Sequence, residues 1–324
     1  MKAIVQDKYG SPDVLNLREI DKPEPGDDEV LVRVHAAGVD RGVWHLMTGQ
    51  PYLARLAFGL RAPKTPVPGM DLAGVVEAVG KNVRGFRPGD EVFGVGKGTF
   101  AEYARAREEK LAHKPANLTF EGAAALTISG LTALQGLRDH GRVGPGQEVL
   151  IVGASGGVGT YAVQIAKAFG AHVTGVCSTT KIEMVRSLGA DRVIDYTEED
   201  FTDGARRWDV ILDIGGSLPL SRLRRALTPQ GTLVLVGGEG GGQWLGVVSR
   251  LLRARLLSPF VGQNLRTFLS SENHEDMLAL AELAESGKLA PVIDRAYPLA
   301  EAADAIRHLE EGRARGKVVI TLLT

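Results

Sequence analysis

The sequence predicts an α/β protein in two parts, a doubly wound parallel sheet and a small β-barrel built from both chain ends. Three observations carry this. Short segments of period-two alternation crowd the first ~120 residues. Strand and helix patterns then alternate from about Phe120 to about Leu265. Within that alternation, Gln147–Gly170 reads strand, glycine turn, helix. At 324 residues the chain is long enough for two cores.

In chain order, Lys2–Val5, Leu15–Glu19 and Glu29–Ala36 alternate apolar and polar residues, with a turn at Pro23–Asp27. Asp40–Gly49 is more helical and carries Trp44, His45 and Met47. Asp71–Val79, Glu91–Gly94 and Phe100–Ala104 continue the strand series around Pro88-Gly89-Asp90. So many short strands in close succession predict a closed barrel. Glu121–Arg138 is a helix, and Pro145-Gly146 leads into the glycine-turn strand. Helix Lys181–Leu188, strands Arg192–Ile194 and Asp209–Ile214, helix Leu218–Ala226 and strand Thr232–Val236 complete the wound part. The glycine-rich loop Gly237–Gly242 leaves the last strand at the edge where such sheets bind ligands. Helix Glu275–Glu285, strand-like Pro291–Ala296, helix Ala300–Leu309 and strand Lys317–Leu322 return to the barrel. The expected domains are therefore 1–125 with 264–324, and 126–263.

The glycine turn carries chemistry. Val149–Val152 is apolar on both faces, as in a strand buried within a parallel sheet. Gly156, Gly157 and Gly159 lack a Cβ, so a pyrophosphate can approach the backbone at a helix start, where free N–H groups carry partial positive charge. Flexible turns also collect glycine, but the position between buried strand and helix reads as a dinucleotide site. The following strand, Ala171–Cys177, ends in Ser178-Thr179-Thr180-Lys181, with no acid before Glu183. A carboxylate there would bind the ribose diol of NADH and repel a 2′-phosphate, whereas hydroxyls and an ammonium would hold that phosphate. The pattern favours NADPH; the alternative is that Lys181 is a solvated lysine at a helix start.

Composition removes other classes. The 38 basic and 39 acidic residues give a formal net charge of −1, with no basic surplus for nucleic acid. The single cysteine, Cys177, excludes an internal disulfide and any site with two cysteine ligands. No signal-sequence pattern follows Met1, and no apolar run reaches the ~18–20 residues of a spanning helix. A cytoplasmic enzyme is expected.

Several motifs together resemble the medium-chain dehydrogenase/reductase superfamily, in its zinc-independent quinone oxidoreductase-like branch. They are AAGVD at Ala36–Asp40, PGMDLAGVVEAVG at Pro68–Gly80, GDEVFG at Gly89–Gly94, SGLTAL at Ser129–Leu134, VGASGGVG at Val152–Gly159, LGADRVIDY at Leu188–Tyr196 and RGKVVI at Arg315–Ile320. The resemblance covers essentially the whole chain. It implies a GroES-like β-barrel catalytic domain around a Rossmann NADPH-binding domain, and a homodimer. By the same resemblance Ser155, Gly156, Gly157 and Val158 would hold the pyrophosphate, and Ser178, Lys181 and Tyr196 the 2′-phosphate. Thr132 would face the nicotinamide, with Gly237 and Phe260 along the cofactor and Arg313 or Arg315 reaching it from the C-terminal end. Tyr196 could equally be a solvated strand-end tyrosine, and each arginine a plain surface residue.

Zinc-dependent relatives have a cysteine where Asp40 stands, a His-Glu pair at Met70-Asp71 and another cysteine at Ile128. Their four-cysteine structural lobe is absent too, so no metal is expected. Without a Lewis acid, the accessible chemistry is hydride transfer to an activated acceptor, a quinone or α,β-unsaturated carbonyl, whose product charge is delocalised. The rivals are an enoyl-thioester reductase and a non-catalytic NADPH-binding regulator contacting protein or RNA. Asp40 and Tyr52 are the catalytic candidates; an ionised Asp40 cannot donate a proton unless its pKa is raised. His35 and His45 read as packing or surface histidines and Cys177 as a small strand residue. Trp244–Phe260 is apolar with Arg250, Arg253 and Arg255; it reads as a lid, a dimer contact or a membrane-surface segment.

Overall fold

The computed structural model describes residues 1–216, 218–236 and 247–322. They form two compact units, 1–131 with 272–324, and 132–271. In the first, β1 (Lys2–Val5) pairs antiparallel with β2 (Asn16–Glu19). The long β3 (Glu29–Val39) exposes only Arg33 and buries Val30, Leu31, Val32 and Val34 and then Ala36–Val39, so the alternation read from its sequence gives way to burial on both faces. It runs into α1 (Arg41–Thr48), capped at its start by Asp40 and closed by Gly49 at φ 63°, a left-handed position suited to glycine. Then come α2 (Arg55–Phe58), β4 (Asp71–Val79), β5 (Glu91–Val95), β6 (Tyr103–Arg107), β7 (Leu111–His113) and α3 (Phe120–Gln135).

The second unit holds β8 (Glu148–Val152), α4 (Gly157–Ala168), β9 (His172–Cys177), α5 (Ile182–Ser187), β10 (Arg192–Asp195), β11 (Trp208–Asp213), α6 (Leu220–Arg225), β12 (Leu227–Leu235), α7 (Val247–Leu257) and β13 (Asn264–Thr267). The strands pair in parallel in the order β10-β9-β8-β11-β12-β13. The chain thus leaves β8 toward one edge and returns to β11 on its other side. That reversal opens a crevice at the carboxyl ends of β8 and β11, where such sheets bind ligands. Leu150, Ile211, Leu233 and Trp208 lie in its buried core.

The chain then returns to the first unit through α8 (His274–Glu285), β14 (Ile293–Pro298), α9 (Ala302–Glu310) and β15 (Lys317–Thr321). Its sheet follows the path β14-β15-β3-β4-β5-β7, with β6 also paired to β3. Three expectations differ from the structure. Among the described residues the hydrogen-bonded path is open, with β14 and β7 at opposite ends, so the closed barrel is partly open. And β13, assigned by sequence to the barrel, pairs with β12 from Thr232↔Asn264 to Leu235↔Thr267, because a sixth parallel strand satisfies the outer edge of β12. The expected boundary at 125/126 also falls inside the continuous helix α3.

Candidate functional site

The glycine turn forms as its sequence implied, with one shift. Helix α4 already starts at Gly157, capped by Gly156, which offers no side chain. An α-helix has no carbonyls for its first-turn N–H groups, so those of Gly157, Val158 and Gly159 are left for a ligand. Gly159 serves a different purpose from the one expected. A Cβ there would lie 2.1 Å from the Gly153 carbonyl oxygen, so this glycine lets α4 pack against the end of β8. Gly153 has φ +88°, which turns the chain sharply off the strand. A Cβ on Gly153 would lie 3.2 Å from the Gly215 nitrogen, which puts the exit of β11 beside the turn. Ser155 is buried within it.

At the end of β9, Ser178 leads a short 3-10 turn, Thr179–Lys181, and the Lys181 N–H donates to the Ser178 carbonyl at 2.9 Å. Tyr196 follows β10, its N–H donating to the Cys177 carbonyl at 3.2 Å while its ring is 59% exposed. Ser178, Lys181 and Tyr196 therefore meet where the parallel strands β9 and β10 end. Sequence reasoning missed a carboxylate here. Asp195 pairs with Cys177 in register, and hydrogen bonds from the Thr179 and Thr197 hydroxyls hold its pKa below the usual carboxylate range. Thr179 is thus engaged, which removes one of the hydroxyls counted toward a phosphate. Cys177 is buried and its thiol is pushed up to about 11 by desolvation, an inert strand residue as read.

Elsewhere in this unit, the Thr132 hydroxyl donates to Ser270 Oγ at 3.2 Å, and Phe260 is 84% exposed. Gly237 lies outside the described residues. Arg250 departs from the basic-surface reading of its segment. It turns inward to an ion pair with the fully buried Asp213 at the end of β11 and donates to the Leu218 carbonyl at 2.9 Å. The Asp213 carboxyl is raised by burial despite that partner. Arg313 and Arg315 belong to the other unit; both are exposed, and Arg313 approaches Glu311 at 3.7 Å.

In the first unit the positions aligned with the relatives' ligands do cluster. Asp40 is buried; its Oδ1 accepts from the Val43 N–H at 3.1 Å, capping α1, and its Oδ2 is buried without a partner. A Cβ on Gly42 would lie 2.9 Å from both Asp40 Oδ1 and Met70 Cε, so those side chains converge on one spot. Asp71 is fully buried, with Oδ1 accepting from the Ile128 N–H at 3.1 Å and Lys317 Nζ 3.4 Å from Oδ2. Lys317 was not anticipated, because its partner is remote in sequence. Among the described residues no three His, Cys, Asp or Glu side chains group as metal ligands. Tyr52 is half-buried, with the Arg55 guanidinium 4.6 Å from its ring. His35 stacks on Phe120 at 4.2 Å with its pKa lowered by burial, and His45 Nδ1 meets the Gln50 carbonyl at 2.9 Å.

Comparison with known proteins agrees with this architecture. Residues 26–116 match the alcohol dehydrogenase GroES-like domain and residues 188–320 the zinc-binding dehydrogenase family. Over 99% of its length the chain is 34% identical to a quinone oxidoreductase of Homo sapiens, spanning 98% of that protein. It is 37% identical to a 2-methylene-furan-3-one reductase of Solanum lycopersicum, across 99% of this chain and 79% of that one. The quinone oxidoreductase of Escherichia coli, solved in complex with NADPH, superposes with a TM-score of 0.83 at 26% identity, covering 99% of this chain and 100% of that one.

Proposed function

The chain belongs to the medium-chain dehydrogenase/reductase superfamily, in its quinone oxidoreductase-like branch, and from that premise we propose that this NAD(P)H oxidoreductase is a zinc-independent, NADPH-dependent reductase of quinones or α,β-unsaturated carbonyls. The observation that carries the cofactor reading is the meeting of Ser178, Lys181 and Tyr196 at the ends of β9 and β10, with no acid on β9 itself. Asp195 on the next strand tempers it, but that carboxylate is already occupied by threonine hydroxyls.

The residues fit a dinucleotide. The first-turn N–H groups of α4 take the pyrophosphate and Gly156 leaves room for it, since a Cβ there meets nothing closer than 3.6 Å. Lys181 and Ser178 take the 2′-phosphate, with Tyr196 at its side. By the family resemblance Thr132 and Phe260 would hold the cofactor on this unit; the calls on Gly237, outside the described residues, and on Arg313 or Arg315, in the other unit, rest on that resemblance alone. When bound, the cofactor supplies the hydride. The protein then has to orient the acceptor and deliver a proton, and Asp40 and Tyr52 are the candidates for that proton.

Zinc independence rests on the donor set. Three protein ligands are needed to hold a catalytic zinc with an open position. Here a thioether (Met70) and an aliphatic side chain (Ile128) stand at two of the positions, and Asp71 is committed to Lys317. A conjugated acceptor spreads its product charge over several atoms, so a few hydrogen-bond donors suffice. The tomato relative, named for reduction of a conjugated furanone, favours the enone alternative within this class. Assembly is read as a homodimer formed at the open edge of β13, where Leu252, Leu256 and Phe260 are exposed beside it. The lone buried thiol fits the reducing cytoplasm. No described helix is long and apolar enough to cross a membrane. A panel of enones, quinones and enoyl thioesters, offered to the chelated protein with NADPH, tests the reading. Turnover of the first two classes is expected; turnover of thioesters alone, or of none, would replace it with one of its rivals.

A further inference from the structure

The second unit carries a cavity of about 300 Å³ at the end of its sheet opposite the crevice described above, near the lower limit for small-molecule sites. Its walls come from the amino ends of the parallel strands. Gln147 precedes β8, Asp209 is the second residue of β11 and Asn264 the first of β13. A bulge opens the space between them. Trp208 pairs with Leu227 and Val210 with Thr232, so Asp209 alone stands against Thr228–Gly231, and that stretch of β12 swings out of the ladder. The two-residue period of a strand puts Asn264 and Arg266 on one face of β13. Beyond them Phe268 stacks on His140, with ring centroids 4.3 Å apart, which brings the π-helical turn Gly136–Gly141 and the following Arg142 to the same cavity.

The charges around it favour an anion. Arg142 and Arg266 both line the cavity and are exposed, and among the described residues neither forms an ion pair. The acids nearby are already engaged. Asp209 Oδ2 accepts from the Glu148 N–H at 3.0 Å and its Oδ1 from the Thr228 hydroxyl at 3.4 Å, while Asp139 pairs with Arg138 at 2.6 Å. Burial lowers the His140 pKa, Asp139 opposes this and Arg266 adds to it, so a neutral imidazole lends a hydrogen bond here rather than a third charge. Gln147 Oε1 accepts from the Gly144 N–H at 2.8 Å, which leaves the amide N–H groups of Gln147 to donate.

The backbone at Arg142 is a separate observation. It lies at φ 51°, and every other positive-φ position among the described residues is a glycine. Its N–H donates to the Leu137 carbonyl and closes the π turn, a helix end where glycine is the strain-free choice. An arginine held there places a guanidinium at the cavity mouth at a cost in backbone free energy that glycine would not incur.

We propose that this cavity binds a small ligand through one oxyanion group, a phosphate or a carboxylate, held between Arg142 and Arg266. The planar guanidinium fork matches either group with paired hydrogen bonds, and the Gln147 and Asn264 amides contact the remainder of the ligand. The site is independent of the cofactor reading, since it lies at the other end of the strands.

NMR of the full chain tests this by following the His140 imidazole signals, assigned with His140→Gln, as inorganic phosphate or acetate is added at constant pH and ionic strength. Phosphate or acetate should move those signals saturably, and the anion that saturates at the lower concentration tells a phosphate ligand from a carboxylate. Arg266→Gln should raise the concentration required by roughly tenfold, the lower end for a charge-assisted bond because solvent screens it. Arg142→Gly should do the same while Tm stays level or rises, since glycine takes φ 51° without cost. An arginine kept only for the turn would instead lower Tm when replaced and leave the titration alone. Should Arg142→Gly not fold, Arg266→Gln decides. Signals that neither anion moves, or that move equally well in the arginine variants, would overturn the inference.

Discussion

Replacing Lys181 with alanine should separate the two nicotinamide cofactors. Lys181 closes the short turn after β9, half-buried beside Ser178, and Thr179 is withdrawn by its contacts with Thr197 and Asp195. That leaves Lys181 as the one cation among the proposed 2′-phosphate ligands. A charge-assisted hydrogen bond contributes about 1.5–3 kcal/mol, and ~1.4 kcal/mol is tenfold in affinity. The full range is therefore roughly 10- to 100-fold, but partial exposure brings solvent and salt screening, so a loss near tenfold is the working value. Calorimetric or fluorescence titration of wild type and Lys181→Ala with NADPH and NADH reads it. NADPH should weaken by about that factor and NADH hardly at all. Equal losses for both cofactors would mean a folding or general binding defect. A wild type that binds NADH as tightly as NADPH would refute the assignment.

Other consequences are open to direct measurement. Asp71 has a folded-state value near 7 against an ordinary 3.8, so its contribution to stability is fully present below about 3.8 and is lost as pH rises through about 7. Urea unfolding of wild type and Asp71→Asn across pH 4–8 should show the wild-type curve falling relative to the variant by on the order of a few kcal/mol; parallel curves would contradict the raised value. Exhaustive chelation should leave acceptor reduction intact, with elemental analysis finding no stoichiometric zinc; one zinc per chain lost together with activity would reverse that reading. Sedimentation at micromolar concentration should give a dimer that Leu256→Glu weakens, and a monomeric wild type would count against the β13 edge as an interface.

What the sequence made legible is what local pattern encodes. The run Val149–Val152, the glycines after it and the switch to helical period depend on neighbours within a few residues, and β8, the turn and α4 appear within three residues of their expected places. The end of β9 was readable for the same reason. Asp195 was not, because it comes beside Ser178 through strand pairing rather than through sequence. The Asp71–Lys317 pair spans 246 positions, and no periodicity announces a contact of that range. The sequence groups Arg250 with Arg253 and Arg255 in one apolar, basic segment; the latter two are exposed, and only Asp213 on another strand reveals that Arg250 turns inward. β13 was misassigned because a four-residue strand with one buried side chain, Leu265, carries too little alternation to declare its sheet. Gly159 was read as room for phosphate, whereas its closest constraint is the carbonyl of Gly153.

The most direct test of the reductase assignment follows the hydride itself. The protein, stripped of metal by chelation, is mixed with NADPH carrying deuterium at the transferable position of the nicotinamide and with a simple enone, and the product is examined by NMR. The account predicts deuterium on the carbon β to the carbonyl, with the α-carbon or oxygen protonated from solvent-derived hydrogen. Unconsumed NADPH across the acceptor panel, or reduction that occurs only when zinc is restored, would contradict it.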